Sequence, residues 1–318
     1  MRVVVIGAGM TGLVAARTLH ERSAGNIDVV VVDKGRSPGG RMATRRIGAA
    51  TFDHGAQFFT VRTPAFARRV DEWVDRGLVT VWNHGFDHDD GFPRYVAPGG
   101  MTSLAKDLAT GLHVECSTLA FTLRRQTEPG TAGWAVVIDD GTTRAADHVI
   151  LTTPLAQAFS LLADADVELD IATFRVDYDR TVCLLAVLDR PGAVAASGGE
   201  QPADHIFSFV GDNVSKGVSS VPALTFHTGA AWSEAHWDDD IDALGNALRA
   251  AAGPWLGEAR IVEHQVKKWR FATPRTISPD PCWTSADRSI IVAGDAFAGP
   301  RIEGAHNSGL AAAHVVLR

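Results

Sequence analysis

The sequence predicts an α/β fold organised around a dinucleotide-binding unit, and three observations predict it. The apolar run at 3–6 passes into "GAGMTG" (7–12) and then into "LVAARTLHERS" (13–23), the order strand, glycine turn, helix. A second apolar run, 29–32, closes on Asp33, about 20 residues past the glycines. A third, "SIIVA" (289–293), exits through Gly294-Asp295 toward a closing helix from Gly304 onward.

Each element has its reason. An unbroken apolar strand suits a sheet covered on both faces. Gly7 permits the tight turn, Gly9 lets backbone approach a pyrophosphate, and Gly12 lets the helix pack close to the strand. The helix start, through Met10 and Thr11, offers N–H groups and a positive dipole end to phosphate. Asp33, with Lys34 beside it, falls where a carboxylate accepts from an adenosine ribose. Farther along, "GWAVVIDDGTTRAADHVILTTP" (133–154) reads as strand, Asp-Gly turn, strand. Segments 181–189 and 259–272 read as strands, 242–255 as a helix stopped at Gly253-Pro254, and 190–204 as a mobile loop.

The composition bounds the function. At 318 residues the chain suits one large α/β domain or two interleaved ones. A net charge of -7 supplies no basic footprint, so nucleic acid is not expected as a partner. The acidic stretches "DHDD" (87–90) and "WDDDID" (237–242) read as solvated. His84 and His88 stand in a Gly/Pro-rich loop without helical geometry, and no metal is expected. The 3 cysteines are scattered, which fits a reducing compartment. "MRVVVIGAGM" is too short for a signal-peptide core, and no apolar stretch approaches ~18 residues, so a cytoplasmic protein without membrane spans is expected.

FAD and NAD share an ADP half, so the first 33 residues cannot choose between them. The choice rests on "GGRMATRR" (39–46), "FDHGAQFFT" (52–60) and the segment 289–318, which a flavoprotein needs because its cofactor extends far beyond the ADP site. In that reading Asp295 accepts from a ribityl hydroxyl. Backbone N–H groups of Gly304, Ala305 and His306, at a helix start, face the flavin edge that becomes anionic on reduction.

These stretches, with "YVAPGGMTSLAKDLA" (95–109), "FVGDNVSKG" (209–217), "LTFHTGAAWSEAHW" (224–237) and "KKWRFATP" (267–274), resemble the renalase-like family. That family lies in the amine-oxidase branch of the glutathione-reductase-type FAD superfamily. The resemblance implies a Rossmann-like FAD-binding domain (1–60, 95–160, 283–318) interleaved with a sheet-based substrate domain (61–94, 161–282). The architecture implied is that of p-hydroxybenzoate hydroxylase and the amine oxidases, with FAD held noncovalently.

Gly40 and Arg41 are expected at a phosphate or flavin edge, and Gln57 and Phe58 along the isoalloxazine. The resemblance implies that Asn213, Lys216 and His227 stand around the substrate, His and amide to orient a carboxamide and Lys216 to meet a phosphate; a purely structural role is the alternative for each. Trp269 and Phe271, two apart on a strand, share a side, and they either belong to the core or wall the site. The resemblance implies a small-molecule substrate, a misreduced dihydronicotinamide dinucleotide (2- or 6-dihydro-NAD(P)), oxidised to NAD(P)+ with O2 taken to hydrogen peroxide. A flavin amine oxidase and a noncatalytic binding protein on the same fold are the alternatives.

Overall fold

A computed structural model describes every residue except Pro129, Ala132, Asp170 and Ala298. The chain divides into two compact units: Met1–Gly40, Leu104–Asp177 and Pro274–Arg318 form unit 1, and Arg41–Ser103 with Tyr178–Thr273 form unit 2.

Unit 1 is built on a six-stranded sheet. From edge to edge its strands are Trp283–Thr284, Ile290–Val292, His148–Leu151, Arg2–Ile6, Asp28–Asp33 and His113–Cys116. Neighbours pair parallel, save for the antiparallel edge strand Trp283–Thr284. Parallel pairing requires a crossover, which the helix Met10–Arg22 supplies between the first two strands in the chain. The closing helix Arg301–Val316 packs on that crossover. A Cβ at Gly309 would stand 2.4 Å from the Thr11 carbonyl oxygen, so only glycine allows the approach. A three-stranded antiparallel sheet turns at Asp140-Gly141 as the sequence predicts. It shares a core with the parallel sheet through Leu123, Trp134, Val136, Leu151 and Phe297.

Unit 2 carries a five-stranded sheet in the order Gly199–Glu200, Phe207–Asp212, Ala223–Thr228, Tyr178–Leu188, Ile261–Pro274. Leu184, Phe207, Phe226, Leu248 and Trp255 fill its core. The helix Ile241–Ala251 starts on the Asp240 carboxylate, which accepts from the N–H groups of Asp242 and Ala243. It gives way to a 3-10 turn, Gly253–Trp255, where the sequence places its stop. The stretch 190–204, expected as a loop, also contributes the short edge strand Gly199–Glu200.

Packing divides the chain differently from the segment boundaries expected for the FAD-binding and substrate domains. Residues 41–60 and 95–103 sit in unit 2, because Asp53 binds Met101, Asn213 and Thr225. Residues 161–177 sit in unit 1, where Phe174 joins the core. The closing helix also differs: it begins at Arg301, with Pro300 as its N-cap, not at Gly304. Among the described residues no helix is long and apolar enough to cross a membrane.

Candidate functional site

Unit 1 presents a backbone cradle. Gly7 adopts φ +111°, a left-handed conformation open to glycine. A Cβ at Gly12 would lie 1.9 Å from the Gly7 carbonyl oxygen, so the helix abuts the turn only without a side chain. Gly9 is the opposite case: a Cβ there meets nothing within 4 Å, and this is the space the backbone leaves beside the helix start. The N–H groups opening the helix Met10–Arg22 have no intrahelical acceptor, and its first turn holds no acidic residue. An anion is favoured there, and among the described residues the first turn itself carries no opposing charge.

Asp33 secures this turn. Its Oδ2 accepts from the Ala8 N–H and its Oδ1 from the Gly35 N–H, both at 2.6 Å. Each oxygen keeps a lone pair for a ribose hydroxyl. Gly39 donates to the Ala8 carbonyl at 2.8 Å, and a Cβ at Gly40 would stand 3.4 Å from Gly9 Cα, so the Gly39-Gly40 pair lies against the turn. Thr152, which carries no motif of its own, bridges its hydroxyl to the carbonyls of Ile6 and Gly7, each at 3.0 Å. Lys34 is exposed, while Met10 and Thr11 are buried. Open space beside Gly9, unopposed N–H groups and a carboxylate near the second strand's end together fit an ADP moiety.

The Gly294 N–H donates to Ser308 Oγ, which donates to the Pro281 carbonyl, pinning the strand exit to the closing helix. Asp295 is buried beside it. The expected role of Gly304, Ala305 and His306 as free N–H donors is corrected by the helix register. These residues lie past the first three helical positions, so their N–H groups are taken up inside the helix. Gly304 is glycine for another reason: a Cβ would stand 1.7 Å from the Gly299 carbonyl oxygen.

Unit 2 holds a buried polar cluster centred on a residue that the sequence did not single out, Asp53. The hairpin strand Ala50–Asp53 ends on it, paired in register with Thr44. Its Oδ1 accepts from Thr44 Oγ1 at 2.6 Å and the Met101 N–H at 2.8 Å. Its Oδ2 faces Lys216 Nζ at 3.3 Å, and both side chains are wholly enclosed. Burial lowers the Lys216 pKa, against which the Asp53 carboxylate acts to keep the ammonium charged. Lys216 also donates to Gln57 Oε1 at 3.1 Å.

Gln57 is oriented without ambiguity. Its Oε1 faces an ammonium, which can only donate, and its Nε2 faces the carbonyls of Asp53 (2.7 Å) and Gly55 (3.1 Å), which can only accept. His227 Nε2 lies 3.3 Å from that amide nitrogen, and the ring also makes a hydrogen bond with the His54 backbone. Burial, with Lys216 next, pushes the His227 pKa down to about 3. His54 is pushed down to about 4 by burial and then by Lys267 and Arg45. Both histidines are neutral at ordinary pH.

Aromatic rings line the rest. Trp269 stacks on His54 with centroids 5.2 Å apart and donates to the His54 carbonyl at 2.7 Å. Phe58 meets Phe86, Phe209 and Trp82, and Phe209 meets His227 at 5.9 Å. Phe271 packs edge-on against Tyr178.

Two expected substrate contacts turn out to have other work. Asn213 is fully buried: its amide donates to Ala223 and Thr225, and its oxygen accepts from the Asp53 N–H. It holds the hub and reaches no open space. Lys216, expected at a phosphate, is spent on Asp53 and Gln57. Arg41 directs Nη1 to the carbonyls of Phe271 and Ala272, each at 3.3 Å. With the Asp53 and Lys216 charges spent on each other, what the unit 2 cluster offers chemically is two neutral imidazoles beside aromatic rings, suited to orienting a ring rather than to moving protons.

Two family models account for nearly the whole chain: residues 5–75 match an NAD(P)-binding Rossmann-like domain, and residues 76–317 match flavin containing amine oxidoreductase. The chain belongs to the flavin-containing amine oxidoreductase family. Membership carries the FAD cofactor and the oxidoreductase class. Renalase of Mus musculus is 30% identical over 173 residues, 51% of this chain and 50% of renalase. A hydroxyneurosporene desaturase of Rubrivivax gelatinosus is 44% identical over 61 residues, 19% of this chain and 11% of the desaturase. The chain thus matches half or less of the length of these curated relatives. Among solved structures, a candidate protoporphyrinogen oxidase from Exiguobacterium sp. 255-15 superposes at TM-score 0.73 with 13% identity, covering 99% of this chain and 98% of that one. Wild-type putrescine oxidase bound to putrescine superposes at 0.68 with 16% identity and covers 100% of both chains. These two likenesses speak for the fold.

Proposed function

We propose that this oxidoreductase oxidises misreduced dihydronicotinamide dinucleotides, the 2- and 6-dihydro isomers, to NAD(P)+. The observation that carries the reading is the pair of neutral histidines, His54 and His227, beside the aromatic rings of unit 2. A dihydropyridine ring already holds a donatable hydride and needs no base to activate it. It needs orientation, and His227, an imidazole that burial keeps neutral, is of the kind that hydrogen-bonds a carboxamide. Trp269 and Phe58 supply apolar walls for a flat ring. The cradle of unit 1 would hold the ADP half of FAD through Gly9, the helix start and Asp33. Bound FAD supplies the two-electron acceptor. The balance is one hydride lost from the substrate ring and, with one further proton, O2 reduced to hydrogen peroxide. An amine, by contrast, must shed a proton before it reacts, and both histidines nearest the aromatic walls resist protonation.

The test is anaerobic. The oxidised, FAD-loaded protein is mixed with 2-, 4- and 6-dihydronicotinamide dinucleotides and with a panel of amines, and flavin bleaching is followed. Bleaching by the 2- or 6-isomers supports the reading. Bleaching by amines alone overturns it.

A further inference from the structure

We propose that Arg45 and Lys267 form a recognition site for a phosphate group of the nucleotide substrate, on the face of the strand Ile261–Pro274 that carries Trp269. The inference rests on the dinucleotide reading above and sharpens it, because it assigns the anionic end of that substrate to named residues.

Gln265, Lys267 and Trp269 are spaced two apart on one strand and project from one face. Gln265 Oε1 accepts from Arg45 Nε at 2.7 Å, which draws the guanidinium from the hairpin strand Thr44–Ile47 onto that face. Trp269 continues the row and stacks on His54. Arg45 and Lys267 are half-buried, and among the described residues neither forms an ion pair. Glu263, the next residue along the row, is exposed and pairs with neither.

The two cations feel each other. Burial and then Arg45 push the Lys267 ammonium down, and no carboxylate acts in the opposite direction. Holding like charges together at half-buried positions is unfavourable unless an anion joins them. A planar five-donor fork beside a compact ammonium suits phosphate oxygens. The same field repels a protonated diamine. Lys216 cannot serve instead, since Asp53 and Gln57 hold it. The glycine turn and helix start of unit 1 would hold the pyrophosphate of the cofactor.

The probes are nicotinamide mononucleotide and nicotinamide riboside, which differ by the phosphate. Binding to the FAD-loaded protein is measured by perturbation of the flavin spectrum and by calorimetry, in wild type, Arg45→Gln, Lys267→Gln and the charge-retaining Arg45→Lys. Mononucleotide binding is expected to weaken roughly tenfold with each lost cation, about 1.4 kcal/mol. Riboside binding and FAD content should stay unchanged, and Arg45→Lys should recover part of the loss. Three results overturn the proposal: mononucleotide binding that ignores both substitutions, riboside weakened to the same degree, or FAD released from the variants, which would give the cations to the cofactor. The two readings fail separately. A protein that oxidises no dihydronicotinamide yet binds mononucleotide through these cations keeps the site and loses the substrate. One that oxidises the 2- or 6-isomer with both cations dispensable keeps the substrate and loses the site.

Discussion

The cradle of unit 1 and the polar cluster of unit 2 are built by opposite means. The cradle is backbone: Gly7, Gly9 and Gly12 shape it, and a helix terminus gives it charge. Its parts lie within a few residues of each other, so the spacing of glycines is itself the geometry. The cluster is side chain: Asp53, Gln57, Asn213, Lys216 and His227 meet only because a hairpin and a sheet bring distant segments together. The comparison teaches where each is vulnerable. A backbone cradle fails when atoms are added, and a buried side-chain network fails when a partner is removed.

The largest effect is expected in the cluster. Lys216→Met strands the Asp53 carboxylate in an enclosed site and should cost about 3–5 kcal/mol in denaturant unfolding. Lys216→Met with Asp53→Asn removes both charges while keeping an oxygen to accept from Thr44 and Met101, and should recover much of that stability. If the double variant is as unstable as the single, the charge pair is not what holds this region.

The cradle should answer differently to atoms added. Gly12→Ala forces a methyl onto the Gly7 carbonyl, and roughly 3 kcal/mol of stability should go with it. Gly9→Ala meets no neighbour, so apoprotein stability should move by no more than about 0.5 kcal/mol while FAD retention falls. The pair separates a glycine needed for the fold from one needed for the ligand. Loss of stability in Gly9→Ala with FAD still held would reverse that assignment.

Legibility in the sequence follows the same division. The strand, turn, helix and Asp33 stand in the order the sequence predicts, because each is specified within the first 33 residues. The hub Asp53 does not stand out in "FDHG", since an acid after a strand is as common in a solvated turn as in a core. Burial is decided by Met101, Lys216 and Thr225, which the local sequence does not contain. Asn213 and His227 were legible as polar residues in matching stretches, but their partners were not. The closing helix shows a local failure: Gly304 reads as a start, yet it is glycine to clear Gly299, and Pro300 sets the start.

Acid should distinguish the regions next. His227 has its pKa depressed to about 3 by burial and Lys216, and His54 to about 4 by burial, Lys267 and Arg45, against 6.5 for each when unfolded. Between those values the unfolded chain binds more protons, so stability is fully present above pH 6.5 and drains as pH falls toward 4. Each histidine contributes up to about 1.4 kcal/mol per pH unit in that window. His227→Phe should flatten the slope of unfolding free energy between pH 6 and 4.5 by about that amount. An unchanged slope would mean that the imidazole is not held neutral.

The smallest effect tests whether the comparison holds at its margin. Thr152 joins Asp33 in reaching the turn with a side chain, but from far along the chain, donating its hydroxyl to the carbonyls of Ile6 and Gly7. Its own N–H still donates to Ile6 at 2.9 Å, so the turn keeps one bond to that strand whatever the side chain. Thr152→Val preserves the branched shape and deletes one hydroxyl. The expected cost is about 1 kcal/mol, with slightly faster FAD release because Gly7 is held less firmly. A loss as large as that of Lys216→Met would show that the cradle also hangs on a distant side chain. The contrast between a locally written region and a tertiary one would then be one of degree, set by how many remote partners each carbonyl keeps.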